Sequence, residues 1–359
     1  CYTISPLHTV DAFVDLAEQL VKAGADSICI KDMAALLKPQ PAYDIVKGIK
    51  KRCGASIPVH VHVHATTGVT LVSLMKSVEA GCDIVDTAVS SLSLGSGHNP
   101  TEAFVEMLEG TGFTTRLDMP RILRVKEHFS RVRPKYSEFL SNYIGVETEI
   151  FKSQIPGGMI SNMEAQLKQQ GAENRIKEVL EEVPRVREDA GFPPLVTPSS
   201  QIVGSQAVFN VMMGRYKVIS GEFADLMLGY YGATIGEKNP EVLKLAMASA
   251  KKDPISCRPA DLLKPEWGSL RSQALDLPGC NGSDEDVLTY ALFPNVAPKF
   301  FQSRPEGPKS PVKAGSATGK EDTGAPKAST VGSKSITSPV NYLVTVAGQS
   351  HKVRVEPLP

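Results

Sequence analysis

PVHVHVHATTGVTLVSLMKSVEAG, residues 58–81, alternates apolar and polar side chains from Pro58 to His64 and then changes to helical spacing from Gly68 to Ala80. Glu79-Ala80-Gly81 ends that helix, with glycine supplying the left-handed cap. The same unit recurs on both sides. Strands are expected at Cys1–Ile4, Ser27–Lys31, Pro58–His64 and Asp83–Val89, with helices near Val10–Ala23, Pro41–Lys51 and Gly68–Ala80; Lys22-Ala23-Gly24 repeats the glycine stop. Strand alternating with helix predicts parallel β/α units. Four units are half of an eight-fold barrel, and half a barrel leaves two sheet edges and an apolar face unpaired. The expected fold class is therefore α/β: the second half of a TIM (β/α)8 barrel over residues 1–116, completed by sequence upstream of Cys1. An open α/β sheet is the alternative.

Downstream the pattern turns helical. A mainly helical domain is expected over 117–302, with helices at Glu173–Ala190 (ended by Gly191), Ser199–Met213 and Gly221–Tyr230. Met212, Met213 and Met227 read as core. Ser283 and Asp286 resemble a capping box opening a helix through Ala291. Residues 303–338, rich in Pro, Gly, Ser, Lys and Thr, read as a flexible linker. Tyr342–Val346 and His351–Val355 alternate around Gly348, so 339–359 reads as a β-hairpin, the possible start of a biotinyl-type domain.

The 359 residues carry 39 basic and 39 acidic side chains, which leaves no field to attract nucleic acid or anionic lipid. No apolar run suits a bilayer span, so no membrane insertion is expected and a cytoplasmic location is. The six cysteines are scattered without a Cys-x-x-Cys pair, and read as reduced structural thiols.

Three stretches can carry chemistry. On a strand, His60, His62 and His64 share one face, and the last two sit at the C-terminal end where β/α barrels build their sites. Imidazoles without partners in an apolar core leave nitrogens unsatisfied. A metal on His62 and His64 removes that problem, and zinc, cobalt or manganese all suit imidazole; the plainer reading is hydrogen bonding within a polar interior. Lys31 ends the second strand at the same rim. It is either paired with Asp32 or, near a divalent cation, able to form an anionic carbamate with carbon dioxide. Asp86-Thr87-Ala88 and the loop Leu94-Gly95-Ser96-Gly97-His98-Asn99-Pro100 bring hydroxyl and imidazole groups towards a substrate, a weaker signal.

Lys31-Asp32-Met33-Ala34, His62-Val63-His64-Ala65-Thr66-Thr67-Gly68, Asp86-Thr87-Ala88 and Ile155-Pro156-Gly157-Gly158 resemble the carboxyltransferase domains of biotin-dependent enzymes. These are pyruvate carboxylase, the oxaloacetate decarboxylase α subunit and the transcarboxylase 5S subunit, with the likeness greatest to the last. It continues through Phe151-Lys152-Ser153-Gln154, Pro198-Ser199-Ser200-Gln201, Gly229-Tyr230-Tyr231-Gly232 and Pro259-Ala260-Asp261-Leu262 to about Pro308. The resemblance implies reversible carboxyl transfer between oxaloacetate and biotin at a divalent metal (Co, Zn or Mn) held by His62, His64 and a carboxylated Lys31, together with an Asp from the first barrel strand. That Asp and an early substrate-binding Arg lie outside these residues, so the chain alone is expected to be inactive. Where the family places Thr-Ser-Gln-Pro for the proton step, Ser96 is the nearest match, with His98 or Thr87 as substitutes. The family's Ala-Met-Lys-Met biotin tetrad is absent, so biotin is expected on a separate carrier or on sequence beyond Pro359. The implied partners are pyruvate or oxaloacetate, a biotin carboxyl carrier protein or domain, and a second copy in a homodimer within a multi-subunit complex.

Rival readings differ in residue order. Carbamylated-lysine hydrolases of the amidohydrolase type take their His-x-His pair from the first strand, ahead of the lysine, whereas Lys31 precedes His62. An acyl-CoA lyase or synthase of the same barrel superfamily shares His-x-His but does not need the lysine. A non-catalytic scaffold needs neither.

Overall fold

The computed structural model describes residues 1–139, 145–155, 163, 167, 172–308, 340–346 and 349–355. The chain divides into two compact units, Cys1–Lys309 and Ser310–Pro359.

In the first unit, β1 (Ile28–Asp32), β2 (Val59–Val63) and β3 (Ile84–Val85) form a parallel sheet in that order. Cys29 pairs with His60, Lys31 with His62 and His60 with Ile84. Period-2 alternation divides the sheet into two chemically distinct faces. Ile28, Ile30, Val59, Val61 and Val63 are buried against α1 (Val10–Lys22), α2 (Pro39–Cys53) and α3 (Thr70–Glu79), in a core shared with Val14, Ile45, Ile49 and Leu74. The other face carries Cys29, Lys31, His60 and His62. Local sequence sets the helix ends: the Thr9 hydroxyl accepts from Ala12 N–H at 3.2 Å, and Gly24 and Gly81 adopt φ of 101° and 102°. Helices α2 and α3 fall within a few residues of their expected bounds.

Two expected strands differ. Cys1–Ile4 is not a strand; it makes one ladder-like bond, Tyr2 N–H to Lys31 O at 2.7 Å. The buried Arg187 guanidinium draws the segment off the edge, donating to Ile4 O (2.7 Å) and Thr3 Oγ1 (2.9 Å). Asp83–Val89 contracts to Ile84–Val85. Asp83 turns its carboxylate to Val59 N–H (2.7 Å) and Lys50, and Ala88 pairs instead with the backbone of Asn99 and Thr101.

Helices dominate the remainder: α4 (Thr101–Met107), α5 (Met119–Val132), α6 (Ile150–Ser153), α7 (Ile176–Asp189), α8 (Ser199–Met213), α9 (Gly221–Leu228), α10 (Pro240–Ala250), α11 (Trp267–Leu275), α12 (Asp284–Leu292) and α13 (Ala297–Ser303). The helix expected at Glu173 opens as a 3-10 turn, Glu173–Arg175, before α7. A second core gathers α7 to α10 around Val179, Val183, Val203, Phe223 and Met227, and takes in Ala34 and Leu36 from the loop after β1. The helical region therefore packs directly on the loop that follows Lys31. Of the methionine stripe, Met227 is core and Met212 packs on it, but Met213 is 56% exposed at the end of α8 and lies outside the core.

Ser283 caps α12 by accepting from Asp286 N–H at 3.3 Å. The reciprocal half of a capping box is missing, because Asp286 accepts from Asn281 N–H (2.8 Å) and pairs with Arg304 (2.7 Å). Ser283→Ala is expected to lower stability by about 1 kcal/mol, read from the denaturant midpoint.

Of the expected linker, Ser303 closes α13 and Arg304–Glu306 forms a 3-10 turn, while residues 309–339 lie outside the described residues. So does part of the Ile155-Pro156-Gly157-Gly158 motif. In the second unit, β4 (Val340–Val346) pairs antiparallel with β5 (Gln349–Val355), from Val340 opposite Val355 to Val346 opposite Gln349. Among the described residues no helix is long and apolar enough to cross a membrane. All six cysteines are unpaired.

Candidate metal centre

The face of the sheet opposite the helices α1 to α3 holds the concentration of imidazoles. His60 and His62 project from β2, and His64 follows at the strand's C-terminal end. A turn folds back over that end: Leu94 N–H donates to His98 O (2.8 Å), Gly97 N–H to Leu94 O (3.0 Å), and Ala65 N–H to Gly97 O (2.8 Å). Leu94 and Gly95 both take positive φ, 68° and 58°, to make the reversal. The turn thereby carries the His98 ring and the Ser96 carbonyl to His64. The rings of His62 and His98 meet edge-on at 4.5 Å between centroids, and those of His64 and His98 at 4.8 Å.

Each of the three rings is fixed through Nδ1. His62 Nδ1 lies 2.6 Å from Asp86 Oδ2, His64 Nδ1 2.6 Å from Ser96 O, and His98 Nδ1 2.9 Å from Val63 O. A carbonyl or carboxylate oxygen only accepts, so each Nδ1 carries a proton, and in the neutral ring the lone pair is on Nε2. One nitrogen from each of His62, His64 and His98 can be taken such that all lie within 4.8 Å of one another. Neutral imidazoles with oxygen acceptors behind them and lone pairs in front form a donor set suited to a borderline divalent cation. Burial, first, holds the His64 imidazole below its usual pKa, with the Lys31 charge nearby acting the same way and the Ser96 carbonyl opposing it.

Asp86 anchors the face. Burial would raise its carboxyl, but the His62 hydrogen bond and the close approach of His60 outweigh this and keep it below the usual carboxylate range. His60 Nε2 is 2.9 Å from Asp86 Oδ1, out of line for a good hydrogen bond, and has no other partner among the described residues. Asp86→Ala is expected to weaken divalent-metal binding by about 10- to 100-fold in a competition titration, because His62 loses the acceptor that sets its tautomer. Asp86 was legible in the sequence only as part of a motif; one residue past β3, its pairing with two histidines is a tertiary result.

Lys31 is the register partner of His62, exposed on the same face, and forms no ion pair among the described residues. Asp32 is not its partner. As the next residue on the strand it points to the buried face, where Oδ2 accepts from Leu37 N–H at 2.6 Å and Oδ1 has no hydrogen-bond partner among the described residues. Burial pushes that carboxyl up to about 6 in spite of the backbone N–H groups around it. Asp32 thus shapes the loop after Lys31 and leaves the amine unpaired.

The candidate proton-carrying groups divide. Ser96 stands at the exposed tip of the turn, with its carbonyl on His64, and His98 joins the imidazole cluster. Thr87 does not join them. Its hydroxyl pairs with Thr101 Oγ1 at 2.8 Å, beside an apolar groove lined by Val85, Phe104 and Phe113. Buried Asn99 completes the support by donating to Thr70 Oγ1 (3.1 Å), which in turn donates to His64 O (2.7 Å).

Comparison with known proteins bears on the family. A model of a conserved carboxylase domain matches residues 150–355, and an HMGL-like model matches residues 7–128. The chain is 60% identical, over 356 residues, to the methylmalonyl-CoA carboxyltransferase 5S subunit of Propionibacterium freudenreichii subsp. shermanii, covering 99% of this chain and 69% of that protein. It is 40% identical, over 357 residues, to the 2-oxoglutarate carboxylase large subunit of Hydrogenobacter thermophilus, covering 99% and 54%. Among solved structures, the carboxyl transferase domain of Rhizobium etli pyruvate carboxylase with 3-hydroxypyruvate superposes with a TM-score of 0.77 at 29% identity, covering 86% of this chain and 54% of that one. The chain thus spans only part of the length of each of these proteins.

Proposed function

Because this chain belongs to the biotin-dependent carboxyltransferase family, we propose that its imidazole face is the site where a carboxyl group passes between oxaloacetate and biotin. The sheet and its helices are read as the metal-bearing half of a (β/α)8 barrel, whose sites form at the C-terminal ends of the strands. His62 and His64 would hold a divalent metal (Co, Zn or Mn), with Lys31 joining them as a carbamate. The unpaired amine of Lys31 favours that modification: its nitrogen bonds the carbon of carbon dioxide, a proton leaves, and the neutral side chain becomes an anionic oxygen donor. A bound divalent cation would supply Lewis acidity towards the carbonyl of a 2-oxo acid.

The chain's own residues supply orientation and proton control. Asp86, Ser96 O and Val63 O fix the three rings through Nδ1, and one nitrogen of each ring lies within 4.8 Å of the others. The Ser96 hydroxyl, at the tip of the turn, is the group that would relay a proton between the pyruvate methyl and biotin nitrogen. With Thr87 committed to Thr101, it stands as the first candidate for that step. Pyruvate plus carboxybiotin would give oxaloacetate plus biotin, and the reverse. The biotin would arrive on a carrier protein or domain, and the enzyme would act as a homodimer within a multi-subunit complex.

The observation that carries this reading is the fixing of His62 and His64 through Nδ1, beside a register-paired lysine without an ion pair. An assay of oxaloacetate-dependent carboxylation of biotin by the full-length protein, with and without biotinylated carrier, tests it. Pyruvate release coupled to carrier carboxylation is expected. A metal-loaded protein that instead cleaves or condenses acyl-CoA with Lys31 unmodified would favour the lyase or synthase alternative.

A further inference from the structure

We propose that Arg187 is a positioning residue, a clamp whose guanidinium holds the helical region to the rim of the site. What the rim does rests on the carboxyltransferase reading; the clamp itself is read from contacts. Arg187 lies on α7 and is only 3% exposed. Its Nε–H donates to Pro193 O (2.9 Å), Nη1 donates to Ile4 O (2.7 Å) and to Gln154 Oε1, and Nη2 donates to Thr3 Oγ1 (2.9 Å). These acceptors come from three separate places: the segment before α1, the left-handed residue that ends α6 (φ 58°), and the turn between α7 and α8. From the first of them the contacts continue into the sheet, because Tyr2 N–H donates to Lys31 O at 2.7 Å.

Two features set this apart from an ordinary interior ion pair. Every acceptor is a neutral oxygen, and among the described residues no carboxylate pairs with the guanidinium; burial alone pulls its pKa down to about 10, so it stays charged at pH 7. A buried charge without a counter-charge is costly, and what it supplies here is a planar fork that reaches three elements at once, with the Phe192 ring 5.8 Å from its carbon. A lysine ammonium presents its donors from one point and cannot span them. The second feature is what removal leaves behind. No buried carboxylate is stranded, and the core around Val183, Val203 and Phe223 is held by apolar packing. Loss of Arg187 therefore loosens the rim and leaves the helical core in place.

Arg187→Ala and Arg187→Lys in the full-length protein, each followed by amide hydrogen exchange, denaturant unfolding and oxaloacetate–biotin carboxyl transfer, test this. In Arg187→Ala, exchange over Tyr2–Ile4 is expected to quicken by about tenfold or more, while peptides from α9 and α10 keep the wild-type rate. The kcat is expected to fall by about 100-fold with KM for oxaloacetate little changed, the loss that a displacement of about 1 Å at a site produces. Arg187→Lys is expected to resemble Arg187→Ala. Free guanidinium ion at millimolar concentration should restore part of the kcat of Arg187→Ala, where methylammonium does not. Lost stability alone would lower kcat only in proportion to the unfolded fraction. Unchanged exchange over Tyr2–Ile4, or a wild-type kcat in either variant, overturns the inference. Quickened exchange there in a protein whose wild type transfers no carboxyl group upholds the clamp and removes the carboxyltransferase reading instead.

Discussion

His62→Ala in the full-length protein is expected to lose stoichiometric metal and carboxyl transfer together, with transfer falling by about a thousand-fold or more. The size follows from what the ring does. His62 sits at the centre of the face, paired in register with Lys31, stacked edge-on to His98 and hydrogen-bonded to Asp86. Removing it takes away a donor and also frees Asp86, whose carboxylate then has only the poorly aligned His60. Lewis-acid stabilisation of several kcal/mol corresponds to several powers of ten in rate. Metal analysis and a transfer assay on one preparation check it; full activity without His62 would remove the site from this face.

The second large effect concerns the scaffold. Phe223 is fully buried in the helical core, stacked on Tyr216 with ring centroids 6.0 Å apart. Phe223→Ala should destabilise the protein by about 3–5 kcal/mol, the combined loss of aromatic burial and a cavity that rigid neighbours cannot fill. Chemical denaturation with the midpoint and slope both measured is the readout. Because Ala34 and Leu36 belong to the same core and follow Lys31 directly, loosening of this region is also expected to reach the rim of the site.

Much of this architecture can be read from short-range pattern. Alternation over residues 58–64 fixes which histidines share a face, because a strand has only two faces and the valines take the buried one. Helix α8 spans the expected Ser199–Met213. The same parity rule, applied to Lys31 and Asp32, already separates them: adjacent strand residues point to opposite sides, so an ion pair between them was never available. What local pattern does not contain is contact over long separations. His98 meets His64 only because a turn with two positive-φ residues folds back on the strand end, and Asp86 meets His60 and His62 only through the order of the sheet. Cys1–Ile4 has the composition of a strand, yet Arg187, far along the chain, takes its carbonyl and hydroxyl. Met213 obeys helical spacing and is still exposed, since spacing gives a direction on the helix but not what lies beyond it.

The most direct test is an anomalous-difference map from crystals of the full-length protein grown with cobalt. The account predicts a single strong peak bonded to Nε2 of His62 and His64, with their Nδ1 atoms still on Asp86 and Ser96 O and extra density joining Lys31 Nζ to the metal. A peak elsewhere, or these rings turned so that Nε2 hydrogen-bonds within the protein, would contradict it.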